Sequence, residues 1–279
     1  MFVCSLNSGS NANCYYLGNQ DEAILVDAGL SCRETVKRLK RTGLSINQVK
    51  AIFVSHEHSD HISGIPVLAR KFRIPVYGTQ NTLTQMGMDI AEDLVRPIVS
   101  HETVEVGRLA VTAFPKLHDA HDPQSYLVTH GDVRVGVFTD IGEPCENVIR
   151  HFRQCHAAFL EANYDEEMLM RGRYPIHLKR RIQSARGHLS NDQALDLFVR
   201  YRPQFMTHLF LSHLSRENNS PKIVQNTFAR VAGNTEIVVA SRDRETRLYH
   251  IRHDPHFVNQ APLPPAAVRL PRAGQLSLF

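Results

Sequence analysis

The 279-residue chain has no stretch of about 18 apolar residues, the length needed to cross a bilayer, so no membrane span is expected. Its first residues, Met1-Phe2-Val3-Cys4-Ser5-Leu6, lack a basic flank and a long apolar run, so no signal peptide is expected. The five cysteines (Cys4, Cys14, Cys32, Cys145, Cys155) form no C-x-x-C pair and are odd in number, which points to free thiols in a reducing cytoplasm. There is no short internal repeat and no linker-like stretch before about Asn259. Net charge is small: +4 permits an anionic partner without demanding one. With 42% hydrophobic and 22% charged residues, the composition is that of an ordinary soluble protein with ample core for one large domain or two small ones.

What the chain does hold is a concentration of metal-binding side chains. Ser55-His56-Glu57-His58-Ser59-Asp60-His61 follows the apolar run Ala51-Ile52-Phe53-Val54, which reads as a buried strand ending at a loop. Side chains two apart on an extended segment point the same way, so His56 and His58 can converge on one ion. Asp60 and His61 lie where the chain turns, within reach of a second ion. Imidazole and carboxylate together suit zinc and its first-row neighbours.

Three further candidates repeat the pattern of strand, ligand, turn. His118 follows Leu109–Phe114, Asp140 follows Val133–Phe138, and His213 follows Phe205–Leu211. His121 competes with His118; His118 is preferred because it comes first after the strand. Strand ends gather at one edge of a sheet, so these side chains can meet the His56 loop there.

The remaining pattern alternates. Short strands are expected at Cys14–Leu17, Ala23–Val26, Pro75–Tyr77, Val104–Val106, Ser125–Thr129, Ala157–Leu160 and Glu236–Ala240, with Gly131-Asp132 as a hairpin turn. Helices are expected from the Ser31 cap to about Thr42, over Gly64–Phe72, Glu146–Arg153, Asn191–Tyr201 (capped by Ser190) and Pro221–Val231. Two β-then-α halves imply two packed sheets with helices outside, an α/β sandwich. A catalytic domain over residues 1–258 would be followed by a Pro-rich, disordered tail over 259–279, because Gln260-Ala261-Pro262-Leu263-Pro264-Pro265 suits neither a helix nor a central strand.

The ordered set Ser55–His61, His118, Asp140 and His213 resembles the metallo-β-lactamase fold, a four-layer αβ/βα sandwich with its metal site at one edge of the paired sheets. Ser5-Leu6-Asn7-Ser8-Gly9-Ser10, Leu160–Asp165, Gly187-His188-Leu189-Ser190-Asn191 and His213–Asn219 are similar to the YycJ/WalJ-like branch, close to nucleases and phosphodiesterases. Two departures are Ser55 in place of the usual Thr and Ala12 where the branch tends to have Gly. The resemblance implies one ion on His56, His58 and His118, a second on Asp60, His61 and His213, and Asp140 bridging. No cysteine takes a ligand slot, so the set does not separate Zn²⁺ from Mn²⁺. Two ions about 3.5–4 Å apart activate a water for attack on phosphorus, and Asp60 could take its proton. By the same resemblance, His188 would protonate the leaving group, with Glu161 orienting it and raising its pKa.

Arg171, Arg173, Lys179, Arg180, Arg181 and Arg186 lead into His188 with no acid among them, a strip suited to a nucleic-acid backbone or to a solvated helix face. The chain ends in Gln275-Leu276-Ser277-Leu278-Phe279, which resembles the pentapeptide by which bacterial replication and repair proteins bind the sliding clamp. Leu278 and Phe279 could fill an apolar pocket, each contributing roughly 1.5–3 kcal/mol if fully buried. The expectation is a cytoplasmic dinuclear phosphodiesterase acting on DNA, an exonuclease of 5′→3′ direction by the branch resemblance, tied to replication or repair. The rivals are an RNA-processing nuclease, a small-molecule phosphodiesterase, and a non-catalytic clamp-tethered adaptor with a structural metal.

Overall fold

A computed structural model describes residues 1–254; the Pro-rich segment, the expected boundary at 258/259 and Gln275–Phe279 lie outside the described residues. The first half of the chain opens with an antiparallel meander of β1 (Phe2–Asn7), β2 (Cys14–Gly18) and β3 (Ala23–Val26). Then come α1 (Cys32–Arg41), β4 (Val49–Phe53), α2 (Ser59–Ile62), α3 (Ile65–Phe72), β5 (Val76–Thr79), α4 (Gln80–Gln85) and β6 (Val95–Ile98). From β3 to β6 the strands pair in parallel. The second half repeats the scheme. β7 (Thr103–Val106), β8 (Leu109–Pro115), β9 (Gln124–His130) and β10 (Val133–Phe138) are antiparallel neighbours. They lead to α5 (Glu146–Phe152), β11 (Ala157–Glu161), α6 (Glu166–Arg171), α7 (Ile176–Ile182), α8 (Asn191–Tyr201), β12 (His208–Ser212), α9 (Pro221–Ala229) and β13 (Glu236–Val239). β10 through β13 are parallel. β14 (Tyr249–His250) returns antiparallel to β1.

Among the described residues the strands form two seven-stranded sheets, ordered β14-β1-β2-β3-β4-β5-β6 and β13-β12-β11-β10-β9-β8-β7. In central strands such as β2, β3 and β11 both faces are buried, which is why they read as continuous apolar runs, whereas the edge strands β6, β7 and β13 are partly exposed. Ile24 and Val26 point between the sheets, against a layer that includes Val128, Val135 and Phe159, whereas Leu25 packs outward with Leu39 of α1 and Leu68 of α3. On the other side Phe138, Leu160 and Leu211 meet Phe152 of α5, Phe198 of α8 and Phe228 of α9. The layers are therefore helix, sheet, sheet, helix, the αβ/βα sandwich expected.

Local signals hold where their chemistry is local. Ser31 accepts from the Glu34 N–H at the start of α1, and Gly43 beyond its end has φ +78°. The elements not anticipated are short or at edges. Pro97 lies in β6, an edge strand that can spare its N–H. β14 is defined only by its pairing with β1. The expected strand from Phe205 begins at His208, because Met206 N–H is taken in a turn by the Pro203 carbonyl.

Candidate metal centre

The chemistry-bearing residues stand at the C-terminal ends of β4, β8, β10, β11 and β12, on the shared edge of the two sheets. His56 and His58 follow β4, with His58 preceding the single helical turn α2 that presents Asp60 and His61. His118 follows β8, Asp140 follows β10, Glu161 ends β11 and His213 follows β12. Asp140 and His213 both adopt left-handed backbone, φ +55°, which turns each side chain back over its strand end. Ligand atoms of His56, His58 and His118 lie within 4.8 Å of one another; so do those of His56, His61 and Asp140, and those of Asp60, His61 and His213. His121 is elsewhere: exposed, with its Nδ1 2.6 Å from Glu57 Oε1.

Hydrogen bonds fix which ring nitrogen each histidine offers. His61 Nδ1–H donates to Asp27 Oδ2 (2.7 Å), His118 Nδ1–H to the Gly187 carbonyl (3.0 Å) and His213 Nδ1–H to Glu161 Oε1 (2.9 Å). Ser55 Oγ gives its proton to Asp27 Oδ2 (2.8 Å) and so accepts from His56 Nδ1 (2.9 Å). In each of these rings the Nδ1 bond leaves Nε2 facing inward, the atom a cation would take. Two of those atoms, His118 Nε2 and His213 Nε2, together with Asp140 Oδ2, are buried with no hydrogen-bond partner. Buried polar atoms left unpaired cost free energy, and divalent cations bound among them would satisfy all three. The donor set of imidazole nitrogens and carboxylate oxygens fits such an ion.

The electrostatics agree. Burial pushes His56 well below the usual imidazole range, aided by neighbouring His61, and holds His118 down at about 4. Burial acts the same way on His61 and His213, but Asp140, Asp60 and Asp27 outweigh it at His61, which lies well above its ordinary value. Asp140 and hydrogen bonds to Asp60 and Glu161 lift His213 to about 10. Asp140 is held well below the carboxylate range despite burial, because His213 and His61 face it. Glu161 is likewise lowered to about 2 against the effect of burial, through His188 and His213. The carboxylates are thus held ionised by the histidines that face them, and a cation at the Nε2 atoms would supply the same balancing charge.

His188 Nδ1 lies 2.7 Å from Glu161 Oε1, the oxygen that also serves His213, and 4.0 Å from Asp140 Oδ1. The basic strip runs from the end of α6 (Arg171) through the loop that holds Arg173, along α7 and into the loop after it. Arg173, Arg180, Arg181 and Arg186 are exposed, and Arg186 lines a cleft beside His118. Arg181 pairs with Asp119. Lys179 is different: it is buried, and its ammonium donates to the Met170 carbonyl (2.6 Å), so it is not free on that surface.

Sequence reasoning passed over three residues. Asp27 carries the second coordination layer of the His56 loop, also accepting the Ser55 N–H at 2.7 Å. Lys116 is a buried cation bonded to the Thr139 carbonyl (2.6 Å), next to Asp140; burial lowers its pKa while the carboxylates of Asp140, Asp27 and Glu161 resist. Asn13 reaches Asp60 from the loop after β1. A signal for Asp27 existed: Asp27-Ala28-Gly29 and Asp140-Ile141-Gly142 are the same Asp-x-Gly pattern after equivalent strands.

The family model described as the metallo-beta-lactamase superfamily matches residues 8–201. The Bacillus anthracis protein named exodeoxyribonuclease YycJ is 35% identical over 229 residues, covering 81% of this chain and 87% of that one. The Streptococcus pneumoniae exodeoxyribonuclease WalJ is 32% identical, covering 84% and 89%. In structure, the metallo-beta-lactamase fold protein YhfI from Bacillus subtilis superposes with a TM-score of 0.69 at 17% identity, covering 89% of this chain and 98% of that one, which speaks to the fold alone.

Proposed function

The chain belongs to the metallo-beta-lactamase superfamily, and on that premise we propose that it is a dinuclear metal-dependent phosphodiesterase that degrades DNA as an exonuclease. The observation that carries this reading is the convergence of unpaired, buried Nε2 and carboxylate atoms from separate strand ends. His56, His58 and His118 would hold one ion, Asp60, His61 and His213 the other, and Asp140 would join them. DNA as substrate is supported by the names of the two relatives that match over most of this chain and most of their own length. The 5′→3′ direction and a link to replication or repair through Gln275–Phe279 rest on the sequence resemblance.

Two divalent cations, Zn²⁺ or Mn²⁺, would supply a water of lowered pKa and neutralise charge on a phosphoryl oxygen. The chain's own groups do the rest. Asp60 Oδ2 lies 3.4 Å from His61 Nε2 and 3.6 Å from His213 Nε2, at the rim of the site, where it can orient or accept a proton from the attacking water. With its Nδ1 2.7 Å from Glu161 Oε1, His188 is held in place to give a proton to the departing oxygen. Arg173, Arg180 and Arg186 provide exposed positive charge for the phosphate backbone, their effect falling with salt.

The test is a panel of Zn²⁺ and Mn²⁺ against end-labelled DNA and RNA, reading product ends. DNA shortened stepwise from one end, with Asp60→Ala and His61→Ala inactive, is the expected result. RNA cut while DNA survives would reassign the substrate, and no cutting of either would leave an adaptor with a structural metal. Deleting residues 275–279 should abolish clamp pull-down while sparing activity on short free DNA.

A further inference from the structure

The loop between β1 and β2 touches one half of the metal centre only. Asn13 is fully buried, and its amide orientation is forced. Oδ1 accepts from the Gly9 N–H (3.1 Å) and from the Tyr15 hydroxyl (3.2 Å), both donors to it. Nδ2 must then be the atom that faces Asp60 Oδ2 at 3.1 Å and His61 Nε2 at 3.1 Å. The Asn13 backbone N–H also donates to the Asp60 carbonyl (2.7 Å).

The same network reaches the third residue of that set. The His213 N–H donates to Ser8 Oγ at 2.7 Å, and Ser8 Oγ lies 2.7 Å from the Tyr15 hydroxyl. Because Tyr15 gives its proton to Asn13 Oδ1, Ser8 must give its own to Tyr15. The donors run in one direction: His213 N–H, Ser8 O–H, Tyr15 O–H, then Asn13 N–H to Asp60. Among the described residues, none of the side-chain bonds of Ser8, Asn13 or Tyr15 goes to His56, His58 or His118; Ser55 holds His56, the Gly187 carbonyl holds His118, and His58 Nδ1 lies 3.1 Å from His56 Nε2.

We infer that Asn13, with Tyr15 and Ser8 behind it, is a positioning residue that assembles the Asp60–His61–His213 cation site and leaves the His56–His58–His118 site untouched. The inference rests on the two-ion reading above. A chain of fully paired, buried hydrogen bonds holds each ligand in one orientation, and outer partners of metal ligands typically govern affinity by about 10–100-fold.

The experiment is calorimetric titration of the chelator-stripped full chain with Zn²⁺. Wild type should take up two equivalents. In Asn13→Ala one equivalent should weaken by about 10–100-fold while the other keeps its affinity. Tyr15→Phe, which removes only the relay oxygen, should weaken the same equivalent by a smaller factor. If both equivalents weaken together, or neither does, in a variant whose circular dichroism and melting are those of wild type, the proposal is overturned and the two-ion reading stands. If wild type itself binds one equivalent, the two-ion reading goes and takes the proposal with it. Should Asn13→Ala not fold, Tyr15→Phe decides the question by the same readout.

Discussion

The two halves of the molecule make the same corner and use it differently. In each, an antiparallel meander ends in Asp-x-Gly, and the aspartate sits in left-handed backbone: Asp27 at φ +59°, Asp140 at φ +55°. In each, the glycine admits a carbonyl that a side chain would exclude. A Cβ on Gly29 would lie 1.7 Å from the Asp60 oxygen, and one on Gly142 would lie 2.1 Å from the Ala185 oxygen. Yet Asp27 is fully paired, taking the Ser55 N–H, the Ser55 hydroxyl and His61 Nδ1–H. Asp140 Oδ2 makes no hydrogen bond and faces His61 Nε2 at 3.3 Å. In the second half the orienting role passes to Glu161, which holds His213 and His188. The comparison teaches that the backbone corner sets where a carboxylate points, while its neighbours decide whether it orients a ligand or serves as one.

The sharpest way to break this comparison is to neutralise both aspartates. Asp140→Ala should cost about a thousandfold or more in kcat on a labelled oligonucleotide, several kcal/mol of transition-state stabilisation. Asp27→Asn should cost about 10–100-fold, expressed mainly as weaker metal binding that excess metal partly restores. Equal losses, neither relieved by metal, would mean the two carboxylates share one role. Next in size, Gly29→Ala and Gly142→Ala should each destabilise the chain by about 3 kcal/mol or more, read from the denaturant midpoint, since backbone must move to admit the methyl. A tolerated Gly142→Ala would show that only the first corner is tight.

The smallest effect concerns the outer layers. The helices over the first sheet pack mainly apolar side chains, whereas α5 over the second buries His151, stacked on Phe114 at 4.0 Å with both ring nitrogens unpaired. Burial lowers its pKa to about 4. Between that value and the unfolded value near 6.5 the unfolded chain binds more protons. His151 therefore makes stability fall as pH drops through that window and has no such effect above it. His151→Phe should raise stability by about 1 kcal/mol at neutral pH and more at pH 5. A thermal-melt series from pH 7 to 5 that runs parallel to wild type would contradict this.

Much of the fold was legible because its signals are local. Apolar runs followed by His or Asp marked the strand ends that carry His56, His118, Asp140 and His213, and Ser31 and Ser190 marked helix starts. Asp27 was not read, because an aspartate after a strand says nothing of the Ser55 and His61 donors that meet it from 28 and 34 residues away. Lys179 looked like part of a basic strip, since charge is visible in sequence and burial against the Met170 carbonyl is not.

By itself the sequence determined which atoms are available for chemistry and roughly where strands end, since residue type and periodicity act over a few neighbours. Only the tertiary structure decided that His118 and not His121 enters the cluster, which ring nitrogen each histidine offers, and which carboxylates stay unpaired. Those choices are made by hydrogen bonds between segments far apart in the chain, and such bonds exist only once both sheets have packed.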